Sequence, residues 1–418
     1  MLSPDVAATY VVDFGARYVK VAAAHDTRPR LLMRLPTAAA AILQTSRDRA
    51  AIIAVLAPTL RRLVVTMPPG IPGHEALFGA SAAKAKPPLA GEREAGAAQV
   101  LLLTHPVSNP DVTAAVVEWL HDAGVSSVAV RDGLVAPLLA ASLTTGLVVD
   151  IGHGGTRCAV VAHGLRDPRA VAFSPRGAAT VLHCLRQLLA RDAGTVIGKR
   201  ALRDEVLEDV LFRGSCVAPP HPARAALWDF TGTVPDPAAS AAAASASLSP
   251  GADSPLAADR TSALGVGVPL LLGGDVIVAR PAIALEALFA EPDDDDAPSA
   301  AAADAALFAD VAGLGAEFPR GPSVHVTAAR ALLACPPALR HAAVRSIVIV
   351  GGVSDAPNLR RRVAEGIVAA VQRRAEFAPL RPLLAELEAA IVASAAPYSG
   401  GVAAVMGAVV GLRPPVSK

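Results

Sequence analysis

The apolar residues of this chain fall into short runs broken by polar and glycine-containing stretches. Thr9–Val12, Val19–Ala23, Val100–Leu103, Val128–Val130, Leu147–Val149, Cys158–Ala162 and Ile347–Val350 are short and mostly bounded by Gly, Asp or Pro, which predicts strands. Helical patterns alternate with them, over Asp111–His121, Leu134–Ser142, Ala179–Ala190, Asn358–Arg374 and Gly401–Val410. Asn109-Pro110-Asp111 is a helix start, with Pro in the first turn where its missing N–H costs nothing. Strands alternating with helices predict α/β layers. Two segments carry no such period. Pro235–Pro255 is rich in Ala, Ser and Pro, and Glu291–Ala303 holds the run Asp293–Asp296 followed by alanines. Neither can bury apolar surface in a defined pattern, so both read as low-complexity insertions, with the aspartate run a solvated loop rather than a cation site.

Composition sharpens this picture in a few places. The 418 residues are enough for two medium domains. Apolar residues make up 53% of the chain but aromatics only 3%, and alanine is abundant, so propensity arguments carry less weight than spacing. A net charge of +1 gives no electrostatic reason to expect nucleic acid or an anionic membrane as partner. Cys158, Cys184, Cys216 and Cys335 lie far apart and form no C-x-x-C pair, which argues against a zinc site and implies no disulfide framework. No basic region followed by an apolar core opens the sequence, so no secretory signal is expected. Ile391–Leu412 is uncharged and long enough to span a bilayer, and Gly407 and Gly411 have a G-x-x-x-G spacing. Pro397, four glycines and many alanines make insertion weakly favourable, so a buried, tightly packed helix after a loop is expected instead.

The chemistry lies in an internal repeat. TYVVDFGARYVKVAAA (Thr9 to Ala24) and GLVVDIGHGGTRCAVVAH (Gly146 to His163) each run an apolar strand into Val-Val-Asp, then x-Gly, a short turn and a second apolar strand. Glycine permits the sharp turn and lets backbone N–H groups approach an anion. Small residues such as Gly154-Gly155-Thr156 leave room for phosphate oxygens. A carboxylate at the strand end repels phosphate unless a cation sits between them, so Asp13 and Asp150 are expected to face one Mg²⁺, usually through waters. Lys20, seven residues after Asp13, would reach back over the turn to a phosphate as a point charge. A single Asp-x-Gly is a common turn signal; two in matching frames, with Lys20 and Thr156, point to phosphate loops. A third piece, SIVIVGGVSD (Ser346–Asp355) before Ala356-Pro357-Asn358, is a buried strand ending in Gly-Gly ahead of a helix, suited to close approach to a ring or a phosphate.

In this order and spacing the three pieces resemble the actin superfamily of ATPases, which includes sugar kinases and heat-shock chaperone ATPases. VLLLTHPVSNP (Val100–Pro110), TTGLVVDIG (Thr144–Gly152), SPRGAATVLHCLRQLL (Ser174–Leu189) and YSGGVAAVMGAVVGL (Tyr398–Leu412) look like actin segments in particular. The resemblance covers most of residues 7–217 and 324–412. VLEDVLFRGSCVAP (Val206–Pro219) and LLACPPALRHAAVRSIVIVGGVSDAPNLRRRVAEGI (Leu332–Ile367) are most similar to the divergent actin-related protein 10 class. The resemblance implies an α/β actin-like ATPase fold, two similar ribonuclease-H-like lobes around a nucleotide cleft. The lobes would span 1–143 and 144–412, with insertions near 235–260 and 291–306, a helix at 400–412 returning to the first lobe, and a tail at 413–418. It implies ATP or ADP with Mg²⁺ held by Asp13, Gly15, Ala16, Lys20, Asp150, Gly152, His153, Gly154, Gly155, Thr156, Gly351, Gly352 and Val353, with Asp13 and Asp150 at the metal. It further implies a cytoplasmic, cytoskeletal protein at the pointed end of dynactin, partnered by a centractin-type filament and the small pointed-end subunits, without nucleic acid or membrane insertion.

The sequence departs from the actin pattern around this grip. Actins place a water-positioning Gln before the second loop, and Arg131–Ala136 has none. Where they carry an Asp after that loop's first Gly, this chain has His153, read as a substituted, non-catalytic position rather than a base. The adenine-side Lys-Glu pair corresponds to Leu211-Phe212. Arg34–Pro72 is hard to match to actin's outer small subdomain, and the chain stops at Lys418 without actin's usual terminal segment. A structural subunit with a phosphate grip and little hydrolysis is therefore expected. The alternatives are a small-molecule kinase or ATPase of the same superfold with Asp275 or Asp355 as base, a nucleotide-free interaction module, and a nuclear chromatin-remodelling actin-related protein. Arg360–Arg362 with Arg373-Arg374 reads as a solvated or interface face, and His183-Cys184 as core or surface without catalysis.

Overall fold

The computed structural model describes residues 9–66, 99–193, 203–214, 268–289, 321–393 and 408, apart from short gaps within these spans. The low-complexity segments, the helix expected over Gly401–Val410 and nearly all of Ile391–Leu412 lie outside the described residues. Among the described residues no helix is long and apolar enough to cross a membrane. The backbone divides into two compact units. One comprises Met1–Phe173, Ala331–Gly352 and Ala393–Lys418; the other comprises Ser174–Arg330 and Val353–Val392. Both large sheets lie in the first unit, one built from residues before position 143 and the other from residues after it.

The first sheet has five strands in the order β3-β2-β1-β4-β5. They are β1 (Thr9–Phe14), β2 (Tyr18–Ala23), β3 (Leu31–Arg34), β4 (Gln99–Thr104) and β5 (Ser127–Asp132). β1 pairs antiparallel with β2 and parallel with β4. Helix α1 (Arg49–Thr66) and helix α2 (Pro110–Asp122) supply the side chains that cover it. Ile52, Leu56, Leu60 and Leu63 of α1, at helical spacing, pack with Val116 and Leu120 of α2 against Val12, Val19 and Leu102. α2 begins as its sequence requires: Asn109 accepts a hydrogen bond from the Asp111 N–H, and Pro110 occupies the first turn.

The second sheet repeats the first. β6 (Gly146–Ile151), β7 (Thr156–Ala162), β8 (Leu165–Ser174) and β11 (Ile347–Val350) lie in the order β11-β6-β7-β8. The hairpin β6–β7 is antiparallel, the third strand joins the second, and β11 returns parallel to the first, as β4 does beside β1. His163 and Gly164, both at positive φ, form the two-residue turn from β7 to β8. The short helix α3 (Ala136–Ala140) contributes Leu138, and Leu134 lies just before it; both pack with Val148, Ala159, Val161 and Val348. The helix expected over Leu134–Ser142 is thus shorter, because the chain approaching it turns around Asp132, whose carboxylate takes the Leu134 N–H.

The second unit contains α4 (Ala178–Ala193), α5 (Asp204–Gly214), the hairpin of β9 (Val268–Leu272) and β10 (Asp275–Ala279), α6 (Pro281–Glu286), most of α7 (Val324–Ala334), α9 (Leu359–Arg373), a 3₁₀ segment Ala375–Leu383 and most of α10 (Leu384–Ala393). The intervening α8 (Pro337–Val344) belongs to the first unit. The arginine face expected on α9 divides differently. Arg360 pairs with Asp355 and Arg361 with Glu365, but Arg362 turns inward to Glu286 at 3.3 Å and lies over the Phe289 ring. Glu286 is 1% exposed, so Arg362 neutralises a buried carboxylate rather than facing solvent. His183 is exposed on α4, while Cys184 is buried and desolvation pushes its thiol up to about 12, which leaves no reactive dyad.

Candidate functional site

The two Asp-x-Gly turns close in the same way. β1 and β2 pair Asp13 opposite Lys20, and β6 and β7 pair Asp150 opposite Arg157. Each cation stands seven residues after its carboxylate. The Gly15 N–H donates to the Tyr18 carbonyl and the Gly152 N–H to the Gly155 carbonyl, both at 2.9 Å, which tightens each turn. The register puts a carboxylate and a cation side by side at each strand end. Lys20 Nζ lies 2.9 Å from Asp13 Oδ2, and Arg157 Nη2 lies 3.1 Å from Asp150 Oδ2. Lys20 does reach back over its turn, and the group it meets there is Asp13.

A histidine stands between the two pairs. His105 follows the end of β4, the parallel neighbour of β1, so its ring falls beside Asp13. Its Nε2 is 3.3 Å from Asp13 Oδ1 and, because a carboxylate only accepts, donates its proton there. Its Nδ1 faces Asp150 Oδ2 across 3.8 Å and has no hydrogen-bond partner. Gly133 makes room for the ring: a Cβ there would sit 2.7 Å from the His105 Cε1. All three groups are buried, Asp13 at 2%, Asp150 at 8% and His105 at 9% exposure. Burial alone would raise the Asp13 pKa. The Lys20 charge, then the hydrogen bond and charge of His105, outweigh it and hold the carboxyl well below the usual range.

The remaining expected residues fall around this cluster. Ala16, His153 and Gly154 are half-buried in the turns, and Thr156 is fully buried at the start of β7. Gly351 follows β11 directly and meets the end of β6. Its φ is +110°, and a Cβ would come within 2.1 Å of the Ile151 carbonyl oxygen, so strand-to-strand approach by itself demands glycine there. Gly352 is exposed, with open space where a Cβ would go. Val353 is buried and belongs to the second unit. Leu211 is buried on α5, and the Phe212 side chain and Asp275 side chain lie outside the described residues. Sequence reasoning missed His105 and Arg157. Arg157 was recoverable, since the spacing from Asp13 to Lys20 repeats from Asp150 to Arg157; nothing in sequence marks a lone His before Pro106 as the partner of both carboxylates.

A divalent cation shared by Asp13 and Asp150 needs carboxylate oxygens turned toward it or toward its waters. Here Asp13 offers Oδ1 to His105 and Oδ2 to Lys20, and Asp150 offers Oδ2 to Arg157. Two carboxylates already face two fixed cations, with an imidazole between them. The arrangement does not fit Mg²⁺ in that position. Searched against known proteins, the chain matches no family model and no curated protein.

Proposed function

We propose that this chain is an actin-related structural protein, a subunit of the dynactin pointed end that supports dynein-driven, microtubule-based transport in the cytoplasm. It would keep a grip for the phosphates of ATP or ADP and hydrolyse little. The observation that carries the reading is the doubled hairpin. Two sheets that share a four-strand order each place an Asp, a glycine turn and a cation at corresponding positions, the pattern expected of two ribonuclease-H-like lobes of the actin type. Within that superfamily, the segments Val206–Pro219 and Leu332–Ile367 favour the pointed-end class over sugar kinases and nuclear remodelling subunits. The absence of Gln from Arg131–Ala136 supports slow chemistry. Asp355, the candidate kinase base within the described residues, is held by Arg360.

Affinity purification of the tagged full chain from native cells, followed by mass spectrometry, tests this. Recovery of a centractin-type filament with pointed-end subunits is expected. Recovery of remodelling ATPases instead, or phosphorylation of a sugar or acetate by the pure protein, overturns it. Phosphate release faster than about one per second, within the ordinary enzyme range, removes the structural reading. A nucleotide-free interaction module is favoured by one observation, that both carboxylates already pair with protein cations; nucleotide co-purifying with the protein decides against it.

A further inference from the structure

We infer that Asp13 and Asp150 take no divalent cation, and that phosphate at the two hairpins is bound by Lys20, Arg157 and His105 without one. The phosphate half of this statement rests on the proposed nucleotide grip; the cation half stands on the geometry alone. Two ionised carboxylates in an uncompensated pair present two negative charges and attract a divalent ion. Here Lys20 and Arg157, each in contact with its own carboxylate, cancel both. A divalent ion would find carboxylates whose charge is already cancelled, and would have to displace Lys20 and Arg157 to gain their attraction.

Ligand geometry adds to charge. Mg²⁺ demands near-octahedral oxygens and keeps several waters, so it needs space as well as donors. The line between the carboxylates is filled by the His105 ring, with Nε2 on Asp13 and Nδ1 directed at Asp150. Gly133, by lacking a Cβ, leaves the space beside Cε1 that the ring needs to lie between the two carboxylates. The buried Nδ1 has no hydrogen-bond partner, and a phosphate hydroxyl or a water carried in by phosphate would satisfy it. The equal seven-residue spacing from carboxylate to cation makes this a property of both halves of the repeat. The ligand class that fits is a nucleoside di- or triphosphate met by ammonium and guanidinium groups.

Two measurements on the full-length protein test the inference. Mn²⁺, a paramagnetic substitute for Mg²⁺, is titrated and its free fraction read by electron paramagnetic resonance, first without nucleotide and then with ADP. Separately, ADP affinity is measured by calorimetry in Mg²⁺ and in EDTA. The inference expects no protein-bound Mn²⁺ beyond that carried by ADP itself, with a dissociation constant no tighter than about 1 mM, and ADP affinities equal within about twofold. Micromolar Mn²⁺ binding, or a tenfold loss of ADP affinity in EDTA, overturns it and leaves the nucleotide grip standing. Failure of ADP and ATP to bind in either buffer removes the grip instead, and the Mn²⁺ titration still decides the cation question.

Discussion

Replacing Lys20 by Met removes the nearest cation from a carboxylate that is 2% exposed. Asp13 then keeps His105 on Oδ1 but leaves Oδ2 without its partner at 2.9 Å. Breaking a buried pair from one side costs about 3 to 5 kcal/mol, because the remaining charge stays desolvated. Lys20 keeps part of its side chain in water, so the lower figure, about 3 kcal/mol, is expected. The pH dependence follows from the direction of the Asp13 shift. Its folded-state pKa lies below the ordinary carboxylate value of 3.8, so the stabilisation is fully present well above pH 4 and is lost as pH falls toward the folded value. Between pH 7 and pH 3 the gap between wild type and K20M should therefore narrow by about 1 kcal/mol. The assay is urea unfolding of both proteins at the two pH values, with Lys20→Met/Asp13→Asn as a third. The double variant, which removes the orphaned charge, should recover at least half the loss. A K20M loss below about 1 kcal/mol at pH 7, or a gap unchanged at pH 3, refutes the reasoning.

Other outcomes follow from the same contacts. Gly351→Ala should destabilise by more than about 2 kcal/mol, from a clash with the Ile151 carbonyl and a positive φ, while Gly352→Ala should stay within about 0.5 kcal/mol; thermal melting compares them. Arg362→Leu removes the guanidinium partner of the buried Glu286 and should destabilise by up to about 3 kcal/mol in urea unfolding, with Glu286→Gln in the same chain restoring part of it. Cys158 and Cys184 are buried, and burial pushes both thiols up, so a thiol reagent at pH 8 should leave them unlabelled in the folded protein and label them after denaturation, read by peptide mass spectrometry.

The strands most legible in sequence were those buried on both faces. β1, β4, β6 and β11 read as unbroken apolar runs because both sides of their sheets are covered. β8 escaped notice because Arg166, Asp167, Pro168 and Arg169 interrupt it, which an edge strand with a solvated face tolerates. α1 was hidden by Pro58, which sits in its middle although proline usually ends a helix. In the site, Asp13, Lys20 and Asp150 were legible because chemistry and repeat coincide at them. His105 was not, because its role comes from β4 lying beside β1, a pairing between residues some ninety positions apart. Arg362 misled for a related reason: the carboxylate that draws it inward belongs to α6, 76 residues away.

The central claim is that the paired hairpins hold nucleotide phosphate in a protein that scarcely turns it over. The most direct test is to denature freshly purified full-length protein, identify the released nucleotide by chromatography, and follow phosphate release from the intact protein supplied with ATP. The account predicts about one ATP or ADP per chain and turnover well below about one per second. Protein that carries no nucleotide and binds neither ATP nor ADP, or that releases phosphate at rates of an ordinary enzyme, would contradict it.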